Sequence, residues 1–193
     1  LFKFKNLIEK KFDDIARIIS EEHGKVFSDA KGSLQRGLEV VDFACGIPHL
    51  LKGNHSINVG TNVDSFDIKQ PLGLCAGITP FNFPAMVPMW MFPISIACGN
   101  AFMLKPSEKV PQCSLKLGEL LNEAGLPENV LTIVNGDKSV VDKILQSPDI
   151  SSVSFVGSTP VAKYIYTECA KYNKRVQALG GAKNHMLIME DAN

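Results

Sequence analysis

Apolar side chains recur every three or four residues in the first third of the chain, and this spacing predicts two helices. The first helix has its apolar face on Ile8, Phe12, Ile15 and Ile19, and the second on Leu34, Leu38, Val41 and Cys45. Gly24 and Pro48 mark their ends. Residues 60–69 (GTNVDSFDIK) then alternate between apolar and polar, which predicts one extended strand.

From Pro71 onward, short apolar runs alternate with helical stretches. The predicted strands are 72–78, 101–105, 129–134, 151–156, 175–179 and 185–189, and the predicted helices are 85–98, 111–125, 139–146 and 159–172. Strand and helix follow each other four times, and we expect the apolar runs to be buried on both faces of the sheet. The pattern therefore predicts an α/β fold with a parallel sheet that is covered by helices on both faces.

The composition excludes some classes of function. The chain has 193 residues, and its 20 basic and 20 acidic side chains cancel. A nucleic-acid-binding or membrane-surface protein would carry a basic excess, so we expect neither partner. The longest apolar stretch, residues 81–98, is broken by three prolines. Since the opening LFKFKNLIEKKF lacks the features of a signal peptide, we expect a cytoplasmic protein, or a mitochondrial matrix protein in a eukaryote.

Cysteine and histidine usage indicates neither a disulfide framework nor a metal site. The five cysteines are irregularly spaced and contain no C-x-x-C pair, and the four histidines are equally scattered. We therefore expect no metal and a reducing compartment.

Four strand ends are candidate binding positions, because ligands of parallel sheets bind beyond the carboxyl ends of the strands. They are residues 78–83, 105–109, 135–136 and 157–159. At the last of these, Gly157 and Ser158 precede a helix, and such N–H and hydroxyl groups suit a phosphate. The alternative is a plain helix cap, for which Thr159 would be sufficient.

The other strand ends carry charged and amide side chains. Lys105, Glu108 and Lys109 can donate to and accept from ribose hydroxyls, or they form a solvated turn with an ion pair. Asn82 lies in the apolar run GITPFNFPAMVP. Its amide could stabilise an oxygen on which negative charge develops, or it is satisfied inside a proline-rich turn.

Five motifs together resemble the aldehyde dehydrogenase superfamily. They are PFNFP (80–84), GNAFMLKPSE (99–108), GLPENVLTIVNG (125–136), FVGST (155–159) and GGAKN (180–184), in the order of that family. The resemblance implies a Rossmann-like NAD-binding domain over residues 71–193, after a helical part (1–59) and an extended oligomerisation strand (60–70). It also implies a homo-oligomer, either a dimer or a tetramer.

Site residues follow from the resemblance by position. Asn82 matches the asparagine that stabilises the oxyanion formed when a cysteine thiolate attacks an aldehyde. The positions that match NAD contacts are Thr79, Phe81, Lys105, Glu108, Lys109, Gly157 and Ser158. Phe81 stands where many members have tryptophan. Since Glu108 near the ribose would repel a 2′-phosphate, NAD is expected rather than NADP.

Longer stretches are similar to one subgroup, the CoA-acylating methylmalonate-semialdehyde dehydrogenases. These stretches are residues 36–53, 67–93 and 177–193. Hydrolytic members have a glutamate before the glycine motif as the base for water, whereas this chain has Ala178 or Leu179 there. The resemblance thus implies coenzyme A as the acyl acceptor and methylmalonate or malonate semialdehyde as the substrate.

None of the five cysteines stands in the context of the family's nucleophile, which lies beyond the glycine motif. Cys113 begins a predicted helix, where a lowered thiol pKa is conceivable. We otherwise expect all five to be structural. The chain is therefore expected to be a fragment that holds most of the cofactor domain, without the catalytic domain and inactive alone.

Overall fold

Eight helices and seven strands make up the protein in a computed structural model that describes residues 1–193. The helices are α1 (Phe2–Lys10), α2 (Phe12–His23), α3 (Phe27–Cys45), α4 (Ile47–Leu50), α5 (Met86–Ala97), α6 (Pro111–Glu123), α7 (Lys138–Gln146) and α8 (Thr159–Lys171). The strands are β1 (His55–Gly60), β2 (Val63–Phe66), β3 (Leu74–Ile78), β4 (Ala101–Lys105), β5 (Leu131–Ile133), β6 (Ile150–Val156) and β7 (Arg175–Leu179). No helix combines the length and the apolar character needed to cross a membrane.

Five parallel strands form the central sheet in the order β5-β4-β3-β6-β7. Within this sheet, the first strand along the chain is the middle strand β3. The next two, β4 and β5, lie on one side of it, and β6 and β7 lie on the other side. This arrangement confirms the predicted α/β fold with a parallel sheet. It also creates a point between β3 and β6 at which the strand order reverses.

Two apolar clusters cover the two faces of the sheet. The larger one lies under α1, α2, α3, α5 and α6, and the smaller one lies under α7 and α8. Within β3, Cys75 faces the larger cluster, while Ala76 and Ile78 face the smaller one. This alternation is the two-residue period of a strand that is buried on both sides. The sequence therefore reads as a continuous apolar run.

The predicted first helix is two helices. The break falls at Lys11, whose backbone (φ −108°, ψ 22°) is not helical and whose N–H is shared between the carbonyls of Leu7 and Ile8. The apolar faces of α1 and α2 nevertheless enter the same cluster. Since helical spacing continues across the break, periodicity alone does not reveal it.

The single strand predicted for residues 60–69 was wrong, because this stretch contains a turn. β1 and β2 form an antiparallel hairpin in which Gly60 pairs with Val63. Asn62 adopts φ 61°, a left-handed conformation that asparagine tolerates well, and the chain reverses there. All residues of both strands are exposed.

The strand predicted at residues 185–189 was also wrong. This stretch has no regular structure, and Met186, Leu187, Ile188 and Met189 are all largely exposed. An apolar run of five residues forms a strand only when another strand pairs with it. The outermost strand on this side is β7, which pairs only with β6.

Gly37 sets the distance between α3 and α5, the helix that follows the Asn82 loop. A Cβ atom on Gly37 would lie 2.3 Å from Cε of Met89 and 3.2 Å from Cα of Met86. Because Cα of Met86 belongs to the backbone of α5, only part of this overlap can be relieved by a side-chain movement. Gly37 is therefore required for the close approach of the two helices.

We expect Gly37→Leu to destabilise the protein by about 1–3 kcal/mol, because the added side chain overpacks the α3–α5 contact. Gly32→Leu is the matched control on the same helix, since a Cβ there meets no atom within 4 Å. The control should be neutral or stabilising by up to about 1 kcal/mol, because leucine favours a helix over glycine. Thermal unfolding of both variants checks this, and equal melting temperatures would contradict the close packing.

Candidate active site at the carboxyl edge of the sheet

The carboxyl ends of β3, β4 and β6 lie side by side. Ile78 pairs with Lys105 of β4 and with Phe155 of β6, so the three loops that follow start from one edge. With about 4.8 Å between strands, the outer two loops begin about 10 Å apart. The loop after β3 lies at the reversal of strand order, which is where open α/β sheets bind their ligands.

The last residue of β4 is a buried lysine, and its carboxylate partner is exposed in the loop that follows. Lys105 is only 5% exposed, and its Nζ lies 3.1 Å from Oε2 of Glu108. A hydrogen bond from its own backbone N–H and another from Lys105 hold the pKa of the Glu108 carboxyl below its ordinary value. The carboxylate is therefore ionised at neutral pH and faces solvent, as a ribose acceptor would.

The loop after β3 is joined to this lysine through the backbone. The Thr79 N–H donates to the Lys105 carbonyl at 3.1 Å. The Thr79 hydroxyl oxygen is buried and has no hydrogen-bond partner within the chain. Since buried polar atoms are nearly always satisfied, this hydroxyl is a candidate contact for a ligand.

Phe81 extends from the same loop and contacts the side chains of His23 and Lys109. Its ring stacks on the His23 ring with centroids 6.0 Å apart, and Nζ of Lys109 lies 5.0 Å from its centroid. The aromatic ring is half exposed. It thereby links α2 to the loop after β4 at the edge of the site.

Asn82 is exposed, although it stands in the most apolar part of the sequence. Its side-chain amide makes no hydrogen bond within the chain, and only its backbone carbonyl is bonded, to Nζ of Lys25 at 2.8 Å. The proline-rich turn therefore does not use the amide. Its two N–H groups are available to a ligand.

The loop after β6 leads directly into α8. Ser158 is the N-cap residue of that helix, but its hydroxyl makes no capping hydrogen bond. The Thr159 cap predicted from the sequence was wrong, because Thr159 lies inside the helix and its hydroxyl accepts from the Gly181 N–H at 3.0 Å. The hydroxyl of Ser158 and the exposed N–H groups at the start of α8 remain available to an anion.

Residues 21–25 (EEHGK) were not recognised from the sequence as part of the site. Gly24 ends α2 in a left-handed conformation (φ 84°), so that His23 and Lys25 both reach the loop after β3. Glu22 accepts hydrogen bonds from the N–H groups of Gln112 and Cys113 at 2.7 and 3.0 Å and thus caps α6. The only sequence feature that marks this segment is a group of charged residues around a glycine between two helices. This feature is too common in proteins to indicate a functional site.

A cavity of about 650 Å³ opens beside Asn82. Its lining comes from the α2–α3 junction, from α3, from the loop after β3 and from the start of α5: His23, Lys25, Ser28, Asp29, Gly32, Ser33, Arg36, Asn82, Phe83 and Met86. The nearest carboxylate to the Arg36 guanidinium is Glu39, at 4.0 Å. The cavity is therefore lined both by Asn82 and by a weakly paired guanidinium group.

The cysteines are free thiols, and three of them are buried: Cys75, Cys113 and Cys169. The sequence-based suggestion that the start of α6 lowers the pKa of the Cys113 thiol was wrong. Burial, together with the nearby Glu22 carboxylate, raises the pKa of this thiol far above its ordinary value. The helix start that could have stabilised a thiolate is occupied by Glu22 instead.

Residues 1–193 match the aldehyde dehydrogenase family. The chain therefore belongs to this family. Within it, the chain is 58% identical over 192 residues to a malonate-semialdehyde dehydrogenase of Pseudomonas aeruginosa and 54% identical to malonate-semialdehyde dehydrogenase 2 of Geobacillus thermodenitrificans. In both cases the whole chain is aligned.

Two crystal structures have the same architecture. One is a methylmalonate-semialdehyde dehydrogenase from Oceanimonas doudoroffii, with 59% identity and a TM-score of 0.93 over 95% of this chain. The other, from Sinorhizobium meliloti 1021, is described as a methylmalonate-semialdehyde dehydrogenase complexed with NAD, with 55% identity and a TM-score of 0.94 over 98% of this chain.

The chain spans about two fifths of the length of these relatives. It covers 39% of the Pseudomonas aeruginosa protein, 40% of the Geobacillus thermodenitrificans protein and 38% of the Oceanimonas doudoroffii chain.

We expect Cys113 to resist alkylation in the native protein, because its thiol is buried and its raised pKa leaves almost no thiolate at pH 8. Iodoacetamide should label the partly exposed Cys45 and Cys98 first. Mass spectrometry of the peptides measures the order, and denaturation should equalise the rates. Fast labelling of native Cys113 would contradict its burial.

Proposed function

We propose that the full-length protein is an NAD-dependent, CoA-acylating methylmalonate- or malonate-semialdehyde dehydrogenase. The overall reaction converts the semialdehyde, CoA and NAD⁺ into propanoyl-CoA or acetyl-CoA, CO₂ and NADH. The aldehyde carbon is oxidised and NAD⁺ is reduced. The bond to the carboxylate breaks, its electron pair stays on the neighbouring carbon, and that carbon takes up one proton.

One observation carries this proposal, namely the convergence of the Asn82 amide and the Lys105–Glu108 ion pair at adjacent strand ends. The Thr79 N–H to Lys105 carbonyl bond fixes the two loops relative to each other. An oxyanion donor and a ribose-binding pair on neighbouring loops are what an aldehyde-oxidising NAD enzyme requires. The similarity to malonate-semialdehyde dehydrogenases supports the particular substrates.

The residues at the strand ends fit NAD. The buried, unpartnered hydroxyl of Thr79 and the Lys105–Glu108 pair suit the ribose, and the start of α8 suits the phosphates. The residues that would hold NAD are Thr79, Phe81, Lys105, Glu108, Lys109, Gly157 and Ser158. When bound, NAD supplies the acceptor for the hydride of the aldehyde carbon. The ionised Glu108 disfavours the 2′-phosphate of NADP.

Asn82 would stabilise the oxyanion. Its free amide N–H groups can donate to the aldehyde oxygen once a thiolate has attacked the carbonyl carbon, and such a preorganised donor lowers the barrier. We infer that the thiolate comes from outside these 193 residues, because none of the five cysteines stands in the sequence context of the family's nucleophile. Arg36 in the adjacent cavity offers a partner for the carboxylate of the semialdehyde.

The inference that CoA is the acyl acceptor rests on the lack of a carboxylate at the position before the glycine motif. Either Ala178 or Leu179, the last two residues of β7, matches the position at which hydrolytic members carry a glutamate, and neither is a carboxylate. Without a carboxylate to activate water, a thioester persists until a thiol attacks it, and the CoA thiol is itself a good nucleophile. This supports CoA rather than water as the acceptor.

The β1–β2 hairpin supports a homo-oligomer, a dimer or a tetramer. Its strands pair only with each other, and five large apolar side chains on or beside it are exposed: Ile57, Val59, Val63, Phe66 and Ile68. An isolated two-stranded hairpin has little stability of its own. A second subunit that adds to the hairpin would cover this surface.

The free thiols support a reducing compartment. All five cysteines are unpaired, and three of them are enclosed in the core. A protein that keeps so many free thiols suits the cytoplasm or the mitochondrial matrix.

The test of this function is an assay of the purified full-length protein with malonate semialdehyde and NAD, with CoA present or omitted. We expect NADH and acetyl-CoA to form together, and NADH formation to stop after about one turnover per subunit without CoA. NADH absorbance and chromatography of the acyl-CoA measure the two products. Sustained turnover without CoA, with a free acid as product, would instead identify a hydrolytic dehydrogenase.

We expect Lys105→Ala combined with Glu108→Ala to weaken NAD binding at least about tenfold, because a charge-assisted hydrogen bond is worth about 1.5–3 kcal/mol. The matched control is Lys116→Ala with Glu119→Ala, which removes a pair of the same spacing on α6, with Nζ and Oε2 2.7 Å apart. Calorimetric titration with NAD and NADP measures the affinities. Unchanged NAD affinity in the first variant would refute the assignment of the ribose site.

A further inference from the structure

The α2–α3 junction holds the loop that carries Asn82. Nζ of Lys25 donates to the Asn82 carbonyl at 2.8 Å and lies 4.3 Å from the centroid of the Phe83 ring. His23 stacks on Phe81 from the same junction. All three residues of the Phe81–Phe83 segment are therefore held by side chains that lie almost 60 positions earlier in the chain.

The backbone at Asn82 has few other constraints. Pro80 and Pro84 fix φ on either side of the loop, but Pro84 has no N–H, and residues 79–83 have no regular structure. The Asn82 carbonyl belongs to the peptide plane between Asn82 and Phe83. Holding this oxygen fixes the torsion ψ of Asn82, and with it the direction in which the Cα–Cβ bond leaves the backbone.

Lysine at position 25 is held in place on both sides. Gly24, in its left-handed conformation, turns the chain out of α2, and Val26 in extended conformation starts α3, so Lys25 stands between two helix ends. Burial lowers the pKa of the Lys25 ammonium group. The carbonyl bond and the Phe83 ring both compensate for this burial, because each interacts with the positive charge.

We propose that Lys25 is a positioning residue for Asn82: its ammonium group holds the Asn82 carbonyl so that the side-chain amide points at the developing oxyanion. This rests on the proposed role of Asn82 in aldehyde oxidation. Lys25 does not itself touch the reacting atoms in this role. It acts through the backbone torsion ψ of Asn82.

The expected loss of kcat on removal of Lys25 can be estimated from the sensitivity of catalysis to the position of a catalytic group. A displacement of about 1 Å in a catalytic group can cost roughly 10²-fold in rate. Removing the whole oxyanion donor costs roughly 10²–10³-fold in kcat. Loss of the Lys25 anchor should therefore cost less than loss of Asn82 itself, in the range of about 10–100-fold in kcat.

The first experiment compares Lys25→Met, Lys25→Arg and Lys31→Met in the full-length protein. Lys31 is a matched control, because it also joins α2 to α3, with Nζ 2.7 Å from Oδ1 of Asp13 and 5.4 Å from the Phe27 ring, but has no contact with the Asn82 loop. We expect Lys25→Met to lower kcat about 10–100-fold with little change in KM for NAD, and Lys25→Arg to restore most of it. Lys31→Met should stay within about twofold of the wild type.

A double-mutant cycle separates positioning from general destabilisation. In an Asn82→Ala background the amide is gone, so Lys25→Met should lower kcat by less than about threefold further. If the two losses instead multiply in full, Lys25 does not act through Asn82 and the proposal is overturned. A loss confined to KM would overturn it as well.

Hydrogen exchange provides a readout that does not depend on activity. Lys25→Met should speed amide exchange in the peptide that covers residues 79–88, and Lys31→Met should not. A wild-type protein that does not oxidise semialdehydes would refute the proposed function, whereas unchanged exchange in Lys25→Met would refute the anchoring by Lys25. The two failures are therefore distinguishable.

Discussion

The parallel pairing of β3 with both β4 and β6 is the constraint on which the site depends. β3 consists of five apolar residues, Leu74–Ile78, and is hydrogen-bonded along both edges, so its neighbours end at the same level. The loops that carry Asn82 and Ser158 therefore start beside the strand end that carries Lys105. Because β4 and β6 lie on opposite sides of β3, the strand order reverses there, and a ligand can enter between the loops.

The amino-terminal helices act as supports for this edge. Glu22 supplies the N-terminal cap that α6 lacks in its own sequence. His23 and Lys25, at the α2–α3 junction, contact the loop after β3 and hold it in place. Gly37 allows α3 to approach α5, the helix into which that loop leads. Side chains far away in sequence thus decide the geometry of the site. One of them, Glu22, adds to the effect of burial, which raises the pKa of the Cys113 thiol.

Apolar surface is concentrated in two segments that do not join the core. One is the β1–β2 hairpin, and the other is the stretch 185–189, which has four largely exposed apolar side chains. Exposed apolar patches of this kind mark surfaces at which proteins meet other protein surfaces. Neither segment pairs with the central sheet.

The sequence by itself determined the class of fold, the bounds of most elements from residue 71 onward, and the residue types at the strand ends. It could do so because burial on both faces imposes an apolar run, and helices impose their own period. Only the tertiary structure decided the turn at Asn62, the missing strand at 185–189, the true role of Thr159, and the partnership of Lys25 with the Asn82 carbonyl. The turn at Asn62 is a local reversal, which the alternation of apolar and polar residues does not reveal. The other three depend on a contact between residues that are distant in sequence, or on the absence of one, and a local pattern contains no information about such a contact.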